Sequence, residues 1–219
     1  MLSIVNRSSF RAGRLFALSL ATLALLGCGA APRPVPARHG DPHAAPSLDV
    51  LPSAPGDRAV FSEHARQGLV MARGVLKMTI PAPPADRSFA TLQQWIDTAV
   101  VDWVSRRKEA IDALRYHLLQ SSKATRSEQI VGHAVVGLLQ EDLALALQAL
   151  PSPAELDSEP EIAQMYAEII RFQARPFLSA ALVEFRSCAN LSVQAYPRVM
   201  NWARFCDTRF KRLRSAIQS

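Results

Sequence analysis

Glycine is scarce in most of this chain. Beyond Arg58 only Gly68, Gly74, Gly132 and Gly137 occur, and long stretches lack both Gly and Pro. Leu, Ala, Gln, Arg and Glu fill those stretches, which is the composition of an all-α domain. Cysteine is limited to Cys28, Cys188 and Cys206. None forms Cys-x-x-Cys, which removes the usual dithiol redox motif. Among His64, His117 and His133 no pair has a metal-ligand spacing. Gly132 and Gly137 have the spacing of a phosphate loop, but Leu138 and Leu139 follow where Lys and Ser/Thr are required. The small residues are expected to allow close helix packing instead. A run long enough to span a bilayer, roughly 20 apolar residues, is also missing near the N-terminus.

What stands there is shorter. Arg7, Arg11 and Arg14 precede Leu15–Gly27, with no acid before Cys28. A basic start, an apolar segment of about 7–15 residues and small residues at its end are the parts of a secretory signal peptide. Leu25-Leu26-Gly27-Cys28 resembles the lipobox of bacterial lipoproteins. The resemblance covers this segment alone. It implies cleavage before Cys28, diacylation of the Cys28 sulfur and acylation of the new N-terminus. Two or more chains give stable anchoring, each buried CH₂ contributing about 0.8 kcal/mol. Gly29, where Asp would imply retention in the inner membrane, implies the outer membrane facing the periplasm.

The expected organisation is a signal peptide over 1–27, an acylated tether over 28–58 and a helical domain over 59–219. Pro32, Pro34, Pro36, Pro42, Pro46, Pro52 and Pro55 lie within the tether, with few apolar side chains to repay ordering. That composition predicts disorder with local polyproline II. His39 and His43 lie there, but Gly40 and Pro42 forbid the helix that would bring them onto one face. Loss of Arg7, Arg11 and Arg14 from 25 Lys and Arg leaves 22 basic residues against 19 acidic ones. The mature chain is thus nearly balanced, and export leaves no case for a nucleic-acid partner.

The domain reads as an antiparallel bundle, or stack of helix hairpins, of about five to six helices. Phe61 to Arg73 is expected as helix, capped by Asp57 or Ser62. Gly74–Ile80 alternates as an extended exit would. Ser88–Leu119 is expected as the longest helix, with Leu92, Trp95/Ile96, Ala99, Trp103, Ala110, Leu114 and Leu118 facing inward. Arg106–Glu109 reads as a solvated face, Arg107 reaching out along its stem. Thr125-x-x-Glu128 fits a capping box opening Glu128–Leu150. Ser158 is expected to cap the next helix, with Pro160 in its first turn. Pro176 is expected to restart or kink the path before Phe177–Ala195. Pro197 opens the last helix. Ala181-x-x-x-Phe185 matches a fragment of the tetratricopeptide pattern, but the upstream positions are unfilled and no second copy follows.

With Cys28 acylated in an oxidising compartment, Cys188 and Cys206 are left to pair. Level residues of an antiparallel hairpin share a mean position, here 197, which places the turn at Ala195-Tyr196-Pro197 and keeps Asn190-Leu191-Ser192 helical. His117 and His133 centre on residue 125 and would flank one turn, as surface histidines rather than a shared ligand site. Glu141-Asp142 and Asp157–Glu161 read as helix-end and surface charges. Arg209, Lys211, Arg212 and Arg214 form the most biased patch. Cations suit a helix C-terminus and an outer face; the functional alternative is contact with an anionic surface or an acidic partner. No catalytic residue, metal or cofactor is assigned.

The expectation is therefore a membrane-anchored, non-catalytic helical module. It would act as a scaffold, accessory subunit or pilotin-like factor with a protein partner in the envelope. A carrier of lipid or a small apolar ligand, with a cavity among Trp95 and Trp103, is the alternative. A cell-wall enzyme is the third. Replacing Cys28 by Ser should move the protein from the membrane fraction to the soluble fraction and abolish incorporation of labelled palmitate. Unchanged membrane retention and labelling would remove the anchor.

Overall fold

Ser62 opens the first helix because its side chain can do what a missing turn cannot. Its Oγ accepts from the Ala65 N–H at 3.2 Å, satisfying one of the orphan amides of a helix start. From there the computed structural model runs α1 (Glu63–Leu76), α2 (Phe89–Trp95), a π segment (Ile96–Val100), α3 (Val101–Leu119), α4 (Arg126–Gln148), a 3-10 turn (Ala154–Ser158), α5 (Pro160–Val193) and α6 (Met200–Gln218). The structure describes Leu48, Leu51 and residues 61–119, 124–193 and 200–218. No strand occurs among them. The signal peptide with Cys28, the histidines at 39 and 43, and the turn at 195–197 lie outside the described residues. Leu48 and Leu51 fall inside the stretch read as tether. They pack half-buried against the core, the Leu51 N–H donating to the Leu48 carbonyl at 3.0 Å.

The all-α bundle is as expected, with α2, the π segment and α3 forming one rod. The details differ where packing overrides local pattern. Helix α1 continues one turn past Arg73 before the chain leaves it at Lys77. The π segment adds a residue to the turn, so Val100 rather than Ala99 faces the core. Ser88 does not cap α2 with its own side chain. Glu155 accepts the Phe89 N–H instead, at 2.9 Å, while Asp86 accepts from Ser88 and Thr91. Ser158 likewise caps nothing: its hydroxyl turns back to the Glu155 carbonyl. Glu159 takes that position, its carbonyl accepting the first intrahelical bond, from Ala163.

Helix α5 is one helix of 34 residues, longer than the α2–α3 rod, and runs through Pro176. Proline withholds only the N–H that would reach the Phe172 carbonyl. Phe172 and Pro176 are both exposed, so water can serve that carbonyl and the helix need not break. Asn190, Leu191 and Ser192 are helical as expected.

Helix α4 is the hub. It packs with α1, α3, α5 and α6, and thereby joins two groups of helices, α1–α3–α4 and α4–α5–α6. By length and composition it could cross a membrane, yet 78% of its apolar window is buried inside the bundle. A helix apolar all round is a core helix when others cover it. The small residues within it let them approach. A Cβ added at Gly132 would lie 2.7 Å from Leu119 Cδ2, and one at Gly137 would lie 3.0 Å from the Phe185 ring.

The reading of Arg106–Glu109 as a solvated face is corrected at Arg107. Arg106 and Lys108 are exposed and pair with Asp102 and Asp112 on the same helix. Arg107 is 2% exposed. Its guanidinium sits 5.3 Å over the Trp103 ring, donates to the Met78 carbonyl at 3.2 Å and pairs with Asp142 of α4. The run straddles the helix, and one of its three cations points inward. Arg107→Ala would leave Asp142, whose side chain is only 13% exposed, without its cation, a loss of about 3 kcal/mol. Urea unfolding should show that loss, and adding Asp142→Asn should recover part of it. No recovery in the double variant would mean the pair is not the cause.

Candidate interaction surface

Cys188 and Cys206 are joined, with Sγ atoms 1.99 Å apart and Cα atoms 6.0 Å apart. The bond ties α5 to α6 beside an aromatic cluster in which Phe205 meets Phe185 and Trp202 edge-on. A loop of this size constrains the unfolded chain by roughly 3 kcal/mol.

The basic patch of α6 is divided. Arg209 and Arg212 turn inward to Glu141 of α4, which is 1% exposed. Arg209 Nη1 donates to both carboxylate oxygens, at 3.1 and 3.0 Å. Lys211 pairs with Asp207 on its own helix at 2.6 Å, and Arg214 is exposed. The reading of Glu141-Asp142 as helix-end or surface charge is thereby corrected. Glu141 is buried and Asp142 nearly so, within a helix most of whose surface is covered, where a carboxylate persists only with a cation brought to it.

The histidines also part company. His117 lies against His64 of α1, ring centroids 4.3 Å apart. His133 Nδ1 lies 2.6 Å from Glu184 Oε2 of α5. Glu184 also receives Arg115 of α3 at 3.0 Å, so one buried carboxylate links three helices. Nothing in the sequence pointed to it, because Glu184 sits among apolar and polar residues alike. Among the described residues no group of three or more His, Cys, Asp or Glu could hold a metal ion. Trp103 is buried, its Nε1–H donating to the Met78 carbonyl at 2.8 Å.

The surface feature that stands out is on α5. Its inner face carries Ile170, Ala174, Leu178, Ala181, Phe185 and Cys188, all buried. Its outer face carries Ile162, Met165, Ile169, Phe172, Pro176, Ser179 and Val183. These recur alternately at three and four residues and point directly away from the core. Phe172 is 63% exposed, Val183 57%, Ile162 50% and Met165 37%; Ile169 is partly buried. The spacing of Ile162, Met165/Tyr166 and Ile169 predicts the apolar face of this helix, but the structure divides those residues: Tyr166 turns inward, its hydroxyl donating to the Pro151 carbonyl at 3.3 Å, while Ile162 and Met165 turn out. Contiguous exposed apolar residues on a folded domain mark contact sites.

Comparison with protein-family models, with curated proteins and with solved structures finds no match.

Two carboxylates on α4 respond to pH in opposite senses. Burial raises the pKa of Asp142, and Arg107 offsets this only in part. For Glu128 burial also acts upward, but hydrogen bonds from Ser62 and Thr125 outweigh it and hold the group below the ordinary 4.5. Glu128 Oε1 accepts the Ser62 N–H and Oε2 the Thr125 N–H, each at 2.7 Å. One side chain thus completes the expected capping box of α4 and secures the start of α1. Because its folded pKa is depressed, its contribution is full above the ordinary value and fades as pH falls below it. Glu128→Gln should cost about 2 kcal/mol near neutrality, from two weakened caps. The gap to the parent should narrow as unfolding is measured at successively lower pH. A gap independent of pH would show that the charge is not what holds the two helix starts.

Proposed function

We propose that this chain is a lipid-anchored component of a bacterial envelope that presents a non-catalytic helical bundle as an interaction module. In this reading Cys28 carries the anchor, the Pro-rich stretch stands the bundle off from the membrane, and the outer face of α5 meets a protein partner. The observation that carries the contact is the apolar stripe on α5, directly opposite the stripe that builds the core. A soluble domain gains nothing from exposing Phe172, Val183 and Ile162 in one line unless something covers them. The disulfide fits a protein held in an oxidising compartment, in agreement with the lipobox. The α6 arginines are less suited to the role than the sequence implied, since Arg209 and Arg212 are engaged with Glu141. The buried, hydrogen-bonded Trp103 favours an interaction module over a carrier with a cavity at that ring.

A photo-reactive residue at Phe172 should form specific adducts in intact cells, and one at exposed Glu109 on α3 should not. Phe172→Glu with Val183→Glu should abolish contacts trapped from a neighbouring stripe position while leaving the melting temperature within about 2 °C, as surface substitutions do. Equal labelling from Phe172 and Glu109 would overturn the assignment of the contact to this face.

A further inference from the structure

We infer that the outer face of α5 pairs with the same face of a second copy, antiparallel and about a two-fold axis near residues 170 and 171. The inference rests on the reading of this face as the contact surface and names its partner.

The seam from Ile162 to Ser179 keeps a seven-residue repeat, the spacing of a two-helix contact rather than of an isolated surface helix. Over that span it runs about 26 Å. The positions just before each seam residue of the 162, 169, 176 and 183 series are Glu161, Glu168, Arg175 and Leu182. Glu161, Glu168 and Arg175 are exposed. This flank is acidic in its first half and basic in its second. The opposite flank, Tyr166, Gln173 and Ala180, carries no charge.

That distribution selects an orientation. In a parallel pair each charged flank would face the uncharged flank of its partner, and no ion pair would form. In an antiparallel pair like flanks meet. A two-fold axis between Ile169 and Phe172 then sets Ile169 against the partner's Phe172, Met165 against the partner's Pro176 and Ile162 against the partner's Ser179. The same axis brings Glu168 to the partner's Arg175, twice by symmetry. Self-complementarity of one patch is what a two-fold dimer requires.

One direction of slip is guarded. Moving by one heptad so that Arg175 meets the partner's Arg175 loses both Glu168–Arg175 pairs and brings like charges together at the centre of the contact. The opposite slip sets Glu168 against the partner's Glu168 while bringing Glu161 to the partner's Arg175. Neither residue is locked into a salt bridge that self-pairing must break: Glu168 accepts a bond from Gln164 at 3.2 Å, and Arg175 lies 5.9 Å from the centroid of the Phe172 ring.

The test uses full-length protein in membranes, with a photo-reactive residue at Ile169 and two differently tagged copies co-expressed. The parent should give an adduct of twice the chain mass containing both tags. Glu168→Arg alone and Arg175→Glu alone should each lower that adduct on the order of tenfold, by replacing two attractive contacts with repulsive ones. Co-expression of the two variants should restore it between them, because a Glu168→Arg chain offers Arg at both positions and an Arg175→Glu chain offers Glu at both. Equal melting temperatures would confirm that the surface changes leave the fold intact. An adduct with a different protein would overturn self-pairing while leaving the contact face in place. Folded protein giving no adduct from Ile169 or Phe172 would overturn both readings. A self-adduct indifferent to the charge changes would overturn the antiparallel register.

Discussion

A helix that is apolar on every side has no preferred orientation until polar groups give it one. Helix α4 is largely of this kind, and four of its polar side chains each meet a different neighbour. Glu128 needs the amide that begins α1. His133 meets Glu184 of α5. Glu141 needs the two arginines of α6, and Asp142 needs Arg107 of α3. Apolar contact alone would tolerate rotation or sliding of the hub. Buried carboxylates do not, since an unpaired charge in the interior costs several kcal/mol. The two groups of helices are thus keyed to one axis by four polar contacts.

The same arrangement explains why α5 can carry two faces. Its inner stripe is held by α4, by the disulfide to α6 and by the aromatic contacts around Phe205. With that side secured at several points, the outer side is free to carry residues that contribute nothing to folding of one chain. Pro176 belongs to that outer side. Its missing N–H is tolerated because the carbonyl it neglects faces solvent, so the stripe continues past Pro176 to Val183.

Much of the fold was legible in the residues. Scarce glycine, regular apolar spacing and the Thr125–Glu128 capping box marked the helices, and Cys188 and Cys206 announced their pairing. Each of those signals is local, or depends on one mean position in a hairpin. The charged residues were read less well. Arg107, Glu141, Asp142, Arg209 and Arg212 all looked like solvent-facing charges, because a charge in sequence carries no mark of the partner that allows it to be buried. Ser88 and Ser158 looked like caps, because a free hydroxyl before a helix is a sound local pattern. Glu155 reached across to the first site from another segment, and the second helix began one residue later than its pattern implied. The outer face of α5 was half legible: Ile162, Met165 and Ile169 showed a stripe without showing which way it pointed.

Composition and spacing therefore determined the helical class and the cysteine pairing, since each depends on residues close in the chain or few in number. Only the tertiary structure decided which charges are buried, which helix is the hub and which side of α5 remains uncovered. Those outcomes depend on what stands opposite each residue. A period of 3.6 places side chains on one face of a helix, but only the neighbouring helices decide whether that face is core or surface.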